Sequence, residues 1–198
     1  MKNRIWLTSV ISGFFMQSAI AALPEGAKAP DFKIPASLAG KEFSYSLQEN
    51  LKHGPVVVYF YPSAYTRGCN IQAHEFSVHT DKFKAAGASV VGVSLDSIAR
   101  LNEYSADPEY CAGKFPVASD KDGKVAKAFD LNVRDAEEGR VDSRGAAIDH
   151  GFAERTTFII TPDGKIAATI GGLTPKENVL KALEVVQELG NSVASKSL

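Results

Sequence analysis

The most informative stretch is VVVYFYPSAYTRGC, which runs from Val56 to Cys69. Its first part, Val56–Tyr61, consists of uncharged strand-forming residues and predicts a strand buried on both faces. Pro62 ends this strand because proline has no N–H to donate to a sheet. A helical pattern follows from Cys69 to Ala86 and stops at Gly87. Its candidate buried apolar positions are Ile71, Phe76, Val78 and Phe83. A cysteine thus stands where a buried strand gives way to a helix.

Strands and helices alternate along the rest of the chain. The predicted strands are Ser89–Leu95, Thr156–Thr161 and Lys165–Ile170, and the predicted helices are Ser97–Tyr104, Gly123–Phe129 and Pro175–Leu189, the last ended by Gly190. The last two strands should form a hairpin over the Pro-Asp-Gly turn at 162–164. Leu23–Pro35 is interpreted as an extended lead-in, and Asn132–Glu154 is too long for a simple connector. This order predicts an α/β domain with a mixed central β-sheet flanked by helices.

The N-terminal segment differs in composition from the rest. Two positive residues, Lys2 and Arg4, precede an uncharged apolar run, and Ala19 and Ala21 form an A-x-A site. This layout is typical of a cleaved secretory signal, here residues 1–22, which leaves one domain at 23–198. The alternative is a membrane anchor, although the run is short for a span of about 20 residues. We expect a periplasmic or secreted protein that has no membrane segment after cleavage.

The composition also limits the partners. The 198 residues are 44% hydrophobic and carry a net charge of −1 without any Lys/Arg-rich run, so a nucleic-acid partner is not expected. The two cysteines, Cys69 and Cys111, are not arranged as C-x-x-C, which argues against a paired dithiol and against a zinc site. His74 and His79 are five residues apart and do not share a helix face, so no metal is expected there. His53 and His150 are predicted to lie on the surface.

The placement of Cys69 predicts a reactive thiolate. The first turn of a helix presents unpaired N–H groups and the positive end of the macrodipole, and both favour thiolate over thiol. Thr66 places a hydroxyl near the sulfur, and Pro62 can shelter it. If the thiolate attacked a peroxide, the negative charge would spread over three atoms, and a cation would stabilise it. Arg155, just before a strand, is the candidate cation; the alternative is an ordinary surface ion pair.

Several motif-like segments follow one another along the chain: Ala29–Phe32 (APDF), Tyr59–Pro62 with Thr66 and Gly68-Cys69, Ala73–Phe76 (AHEF), Val91–Ser97 (VGVSLDS), Phe115–Ala126 and Arg155–Gly164. In this order they resemble the peroxiredoxins, closest to the bacterioferritin-comigratory, or peroxiredoxin Q, type. The resemblance implies a thioredoxin-like fold and a thiol peroxidase that needs neither metal nor cofactor. It implies that Cys69 is the peroxidatic cysteine and that Pro62, Thr66 and Arg155 bind the peroxide. Glu75 matches a glutamate near the site; alternatively it only holds Arg155.

The chain departs from this family pattern at His74, which occupies the common position of the resolving cysteine. The resemblance then implies that Cys111 is the intrachain resolving residue; a static disulfide or an unpaired thiol is the alternative. The implied partners are a hydroperoxide and an exported dithiol reductant of the thioredoxin type, and the implied state is a monomer. Two other functions stay open: a thiol-disulfide oxidoreductase and a non-catalytic binding domain locked by a disulfide. Peroxide consumption by the reduced protein distinguishes the peroxidase from both.

Cleavage of the signal segment is directly testable. The intact mass of the exported protein should correspond to a chain that starts after Ala21 or Ala22, because the A-x-A site precedes that point. A mature protein that kept Met1 to Ala21 would contradict the prediction.

Overall fold

A computed structural model describes residues 22–196, without the side chains of 193–196. The signal segment predicted at 1–22 lies outside the described residues, apart from Ala22. The strands are β1 (Lys33–Leu38), β2 (Lys41–Ser46), β3 (Val56–Phe60), β4 (Ser89–Ser94), β5 (Val117–Ser119), β6 (Val133–Arg134), β7 (Phe152–Ala153), β8 (Thr156–Ile160) and β9 (Ile166–Gly171). The helices are α1 (Leu47–Leu51), α2 (Arg67–Ala85), α3 (Ile98–Ala106), α4 (Lys124–Ala128) and α5 (Pro175–Lys196). No helix within 22–196 combines the length and the apolar character needed to cross a membrane.

The seven-stranded sheet has the order β2-β1-β5-β4-β3-β8-β9. Strand β3 lies near its centre, parallel to β4 and antiparallel to β8, and all five of its residues are buried. Such burial on both faces explains the continuous apolar run in the sequence. Strands β8 and β9 form the predicted hairpin. The predicted α/β class with a mixed central sheet flanked by helices is confirmed.

Each face of the sheet has its own core. Val57 and Tyr59 of β3 face one cluster, which contains the inner sides of α2 and α5. Val56, Val58 and Phe60 face the other, which contains residues of α4 and of the N-terminal segment. This alternation follows from the two-residue period of a strand. Both Cys69 and Cys111 belong to the first cluster.

Two of the four apolar positions proposed for α2 are wrong. Ile71 is 43% exposed and Val78 is 58% exposed, whereas Phe76 and Phe83 are fully buried. The buried side of the helix follows helical spacing from Cys69 through Ala73 and Phe76. Ile71 and Val78 are seven residues apart and share a different face, so the sequence pattern combined two faces.

The two ends of the described chain also differ from expectation. The predicted extended lead-in contains the start of β1, which pairs with β2 as an antiparallel hairpin at the sheet edge. Gly190 does not end the last helix, which continues to Lys196. A glycine costs a helix only about 1 kcal/mol relative to alanine, and the preceding turns of α5 are anchored by buried Val179, Ala182 and Val186.

Candidate active site

Cys69 lies in the first turn of α2, as predicted, and is 1% exposed. Thr66 is the N-cap residue, with extended backbone angles, so Cys69 is the third residue of the helix. The preceding loop includes Tyr65, whose φ of 60° lies in the left-handed region. That conformation is unusual for a bulky residue, and it occurs where the short loop after β3 turns into α2.

Arg155 lies beside the sulfur. Its Nη2 is 3.3 Å from Cys69 Sγ, although the two residues are 86 positions apart. The sheet explains the contact, because β3 and β8 are antiparallel and pair Phe60 with Thr156. The end of β3 and the start of β8 therefore meet at one sheet edge, with Cys69 after one strand and Arg155 before the other. Among the described residues, no carboxylate forms an ion pair with Arg155, so the surface ion pair considered as an alternative is wrong.

Gln72, not Glu75, holds Arg155. The Nη1 of Arg155 donates a hydrogen bond to Gln72 Oε1, and Gln72 is fully buried. Glu75 instead contacts Lys176 at 3.1 Å and His79 at 3.7 Å. Sequence reasoning missed Gln72, although its position three residues after Cys69 places it on the same helix face.

Gly68 makes room for the guanidinium. A Cβ at this position would lie 3.1 Å from Arg155 Nη2 and 3.5 Å from Pro175 Cγ. The first distance is below an ordinary carbon–nitrogen contact, so a larger residue would press on the guanidinium. The glycine before Cys69 therefore has a steric role in the site.

Thr66 and Pro62 stand where the sequence placed them. The Thr66 hydroxyl donates to the Ser63 carbonyl at 2.9 Å, so its proton is engaged while its lone pairs remain able to accept. Pro62 follows β3 after one intervening residue, Tyr61, and is half-buried. The structure thus brings Cys69, Thr66 and Arg155 to the same end of β3, with Pro62 at the head of the loop.

Cys111 is a free, fully buried thiol in the turn that follows α3. Burial raises its pKa well above the usual value, and the charge of Asp107 adds to the effect. Cys69 is free as well, so the structure contains no static disulfide between the two. The turn packs close to the Cys69 region, because His74 Nδ1 on α2 lies 3.0 Å from the Glu109 carbonyl. Tyr110 also stacks edge-on against Tyr65, with ring centroids 5.7 Å apart.

A buried carboxylate, Asp96, anchors the loop before Cys69. Its Oδ2 accepts the backbone N–H of Ala64 at 2.8 Å, and its Oδ1 accepts the Ser63 hydroxyl at 3.0 Å. Two cations also face Oδ1: Arg100 Nε at 3.0 Å and His150 Nε2 at 2.8 Å. Burial alone would raise the pKa of Asp96, but the hydrogen bond and charge of His150, with the Ala64 and Ser94 bonds, lower it. Asp96 therefore stays ionised while fixing the loop.

The prediction that His150 lies on the surface is wrong. Its Nε2 faces the Asp96 carboxylate, and its Nδ1 is 2.7 Å from the Gly151 carbonyl. Both groups only accept, so both ring nitrogens must carry protons, which makes the ring an imidazolium. Burial would lower the pKa of His150, but Asp96 and the Gly151 carbonyl outweigh it and raise the pKa above the usual 6.5.

The long segment Asn132–Glu154 closes over this loop. Its ends form a small two-stranded sheet, β6 with β7. Between them, Ser143 donates its hydroxyl to the Tyr65 carbonyl at 2.7 Å, and the Arg144 guanidinium lies 3.3 Å from the centre of the Tyr65 ring. Asp142 joins the segment to Arg100 at 2.7 Å. The segment therefore holds the Cys69 loop from outside, as Asp96 holds it from inside.

The sequence matches the model of the AhpC/TSA family over residues 26–169. The chain belongs to the AhpC/TSA family. Its relatives include peroxiredoxin Bcp of Xanthomonas campestris, 31% identical over 151 residues that cover 76% of this chain and 84% of the relative. Chloroplastic peroxiredoxin Q of rice is 30% identical over 166 residues, which cover 83% of this chain and 67% of the relative.

Solved structures agree with this family assignment. The crystal structure of peroxidoxin BcpB from Mycobacterium tuberculosis matches with a TM-score of 0.69 and 28% identity, covering 84% of this chain and 97% of that one. The family therefore confirms the resemblance to peroxiredoxin Q, the thioredoxin-like fold and the expectation of a thiol-dependent peroxidase. Within the described part of the chain, no three His, Cys, Asp or Glu side chains cluster as metal ligands.

The Asp96–His150 pair predicts a pH-dependent stability. A raised native pKa of His150 stabilises the fold fully below about pH 6.5, and this contribution is lost as the pH rises through the native pKa. The lowered pKa of Asp96 acts in the opposite direction, with a contribution that is lost as the pH falls below about 4. The free energy of unfolding, measured with urea, should therefore decline as the pH rises above about 6.5 and through the raised native pKa of His150.

The matched variants are His150→Gln and Asp96→Asn. Each removes one member of the pair, so each should flatten this decline as well as lower stability. A wild-type slope that persisted unchanged in His150→Gln would show that another group titrates.

Proposed function

We propose that the protein reduces hydrogen peroxide and organic hydroperoxides with the Cys69 thiolate as nucleophile. The observation that carries the proposal is the 3.3 Å contact between Arg155 Nη2 and Cys69 Sγ in the first turn of a helix. Because no carboxylate of residues 22–192 pairs with this guanidinium, its charge stays available to the sulfur and to the oxygens that approach it. Together with the family membership, this arrangement favours peroxide chemistry over protein disulfide exchange, which needs no such cation.

In the first step the thiolate attacks one oxygen of the peroxide along the O–O bond. The S–O bond forms as the O–O bond breaks, and the leaving hydroxide or alkoxide takes a proton from water. Arg155 stabilises the charge that moves along this line, because a fixed donor needs no reorganisation during the reaction. The Thr66 oxygen, whose own proton is engaged by Ser63, can accept a hydrogen bond from the peroxide O–H. Cys69 becomes a sulfenic acid.

In the second step Cys111 resolves the sulfenic acid. Its sulfur bonds to Cys69 Sγ, and the sulfenic oxygen leaves as water with the thiol proton. The buried Cys111 thiol, with its raised pKa, is a poor nucleophile where it lies. The turn around Cys111, the first turn of α2, or both must therefore unwind in each cycle. The contacts of Tyr110 with Tyr65 and of His74 with Glu109 place these two regions side by side.

A dithiol protein of the thioredoxin type closes the cycle. One of its thiolates attacks the Cys69–Cys111 disulfide, the second displaces the mixed disulfide, and both cysteines return to thiols. The predicted signal segment would place this protein in the periplasm or outside the cell, so its reductant would have to be exported as well. We propose that the protein acts there as a monomer. No metal, flavin or haem takes part in this scheme.

Cys69→Ser should abolish peroxide turnover, because a hydroxyl is not appreciably ionised near neutral pH. Arg155→Lys keeps the charge but loses the planar fork, and should slow the first step by about 10²–10³-fold. Stopped-flow loss of peroxide with reduced protein measures both. Arg67→Lys is the matched control, since it changes an exposed arginine of the same helical turn. Peroxide loss by Cys69→Ser at near the wild-type rate would refute the mechanism.

Oxidation with one equivalent of peroxide should convert the reduced monomer to a Cys69–Cys111 intrachain disulfide. Peptide mapping under non-reducing conditions detects it, and Cys111→Ser should stop at the Cys69 sulfenic acid. A wild-type protein that kept a stable sulfenic acid with Cys111 free would be a one-cysteine peroxidase. An interchain disulfide would instead indicate an obligate dimer.

A further inference from the structure

A chain of buried side-chain amides continues from Arg155 into the last helix. Gln72 Nε2 donates to Asn178 Oδ1 at 2.9 Å, and Asn178 Nδ2 donates to the Ile170 carbonyl of β9 at 3.0 Å. The Thr157 hydroxyl of β8 also donates to Asn178 Oδ1, at 2.6 Å. Gln72, Thr157 and Asn178 are at most 1% exposed. Four elements, α2, β8, β9 and α5, therefore meet at the Asn178 amide.

The direction of this chain is set at its far end. The Ile170 carbonyl can only accept, so Asn178 must present its NH₂ group there and its oxygen to Gln72. Gln72 must then present its NH₂ group to Asn178, which leaves Oε1 facing Arg155. A reversed Gln72 would place its NH₂ group against the guanidinium, which only donates. One backbone carbonyl thus orients two amides so that an acceptor meets Arg155.

We propose that Asn178 is a positioning residue for the peroxidase reaction, acting through Gln72 to hold the Arg155 guanidinium against Cys69. This inference rests on the proposed function, because it assumes that Arg155 assists the attack on peroxide. Asn178 does not touch the sulfur; it fixes the acceptor that fixes the cation. A neutral anchor also suits the task, since a carboxylate beside Arg155 would compete with the thiolate for its charge.

The geometry explains why α5 matters to a site on α2. Asn178 lies in the first turn of α5, with its backbone N–H bonded to the Thr174 carbonyl at 2.9 Å. Its neighbour Val179 is fully buried in the core that α5 shares with α2. The Asn178 amide is therefore held in a fixed position. It restrains Arg155 through two hydrogen bonds, one from Gln72 to Asn178 and one from Arg155 to Gln72.

The test measures the rate of peroxide attack by the reduced mature protein. Asn178→Ala should slow it by at least about tenfold, because a small displacement of a positioned group can cost up to about 10²-fold. Thr157→Val is the matched control. It removes one bond to the same Oδ1 at equal burial but leaves the orientation of both amides unchanged, so its effect should stay within about threefold. The ultraviolet absorbance of the Cys69 thiolate at fixed pH should fall in Asn178→Ala and not in Thr157→Val.

A double-mutant cycle separates positioning from a general loss of structure. In an Arg155→Lys background, Asn178→Ala should slow the reaction by no more than about twofold further, because the guanidinium that it positions is already gone. Asn178→Asp keeps the side-chain volume but loses the donor to Ile170, and it should also be slow; it serves if Asn178→Ala does not fold.

The two proposals fail in different ways. If Asn178→Ala and Asn178→Asp reacted as fast as wild type while Arg155→Lys was slow, only the role of Asn178 would be refuted. The same holds if the Asn178→Ala effect were undiminished in the Arg155→Lys background. If Arg155→Lys itself reacted as fast as wild type, the assigned role of Arg155 in the proposed function would fail.

Discussion

The antiparallel pairing of β3 with β8 creates the site. It joins two segments that lie far apart in sequence, so that the loop leaving β3 and the residue entering β8 occupy the same edge of the sheet. Neither Cys69 at the start of α2 nor Arg155 before β8 would be sufficient alone for the proposed reaction. In the proposed reaction the helix N-terminus stabilises negative charge on the Cys69 sulfur, and Arg155, which precedes β8, extends that stabilisation to the oxygen that leaves. The apolar sequence of β3 favours this arrangement, because all five of its residues are buried when the strand lies between β4 and β8.

The loop between strand and helix is held by charges that are buried in pairs. An ionised carboxylate in a protein interior is stable only when it is paired and hydrogen-bonded. Asp96 satisfies this condition with backbone and hydroxyl donors from the loop and with the Arg100 and His150 cations. The segment Asn132–Glu154 supplies His150 and adds Arg144 over Tyr65. The shape of the reactive loop therefore depends on residues that follow it by about eighty positions in sequence.

Much of the fold and the placement of Cys69 followed from local sequence, whereas the role of Arg155 was implied by the family resemblance. Periodicity and turn residues predicted β3, β4, the β8–β9 hairpin and α2, since each of these elements carries a strong apolar pattern or turn signal. The position of Cys69 in a first helical turn followed from the same boundaries. The N-terminal hairpin β1–β2 was missed because its strand β2 lies at the sheet edge with a largely exposed surface, which gives a weak pattern.

The side-chain network was less predictable. Gln72 carries a spacing signal relative to Cys69, but Asn178 and His150 carry none, because their roles depend on which distant groups the fold brings to them. A histidine in a charged, glycine-containing segment resembles a surface residue until its two acceptors are known. Glu75 illustrates the converse: a motif match placed it near the site, but its side chain contacts Lys176 and His79 and not Arg155.

Because Cys111 is buried, the stability of the turn around it would control how fast the proposed catalytic cycle proceeds from the sulfenic acid to the disulfide. If Cys111 resolves Cys69 as proposed, the Cys69 sulfenic acid would persist while the turn around Cys111 stays packed, and a second peroxide could oxidise it irreversibly to a sulfinic acid. The lifetime of this intermediate would then depend on how fast the aromatic contacts among Tyr110, Tyr65 and Tyr104 open. Tighter packing there would give a more stable protein that inactivates sooner at high peroxide. Looser packing would give a less stable protein that resists inactivation at high peroxide for longer.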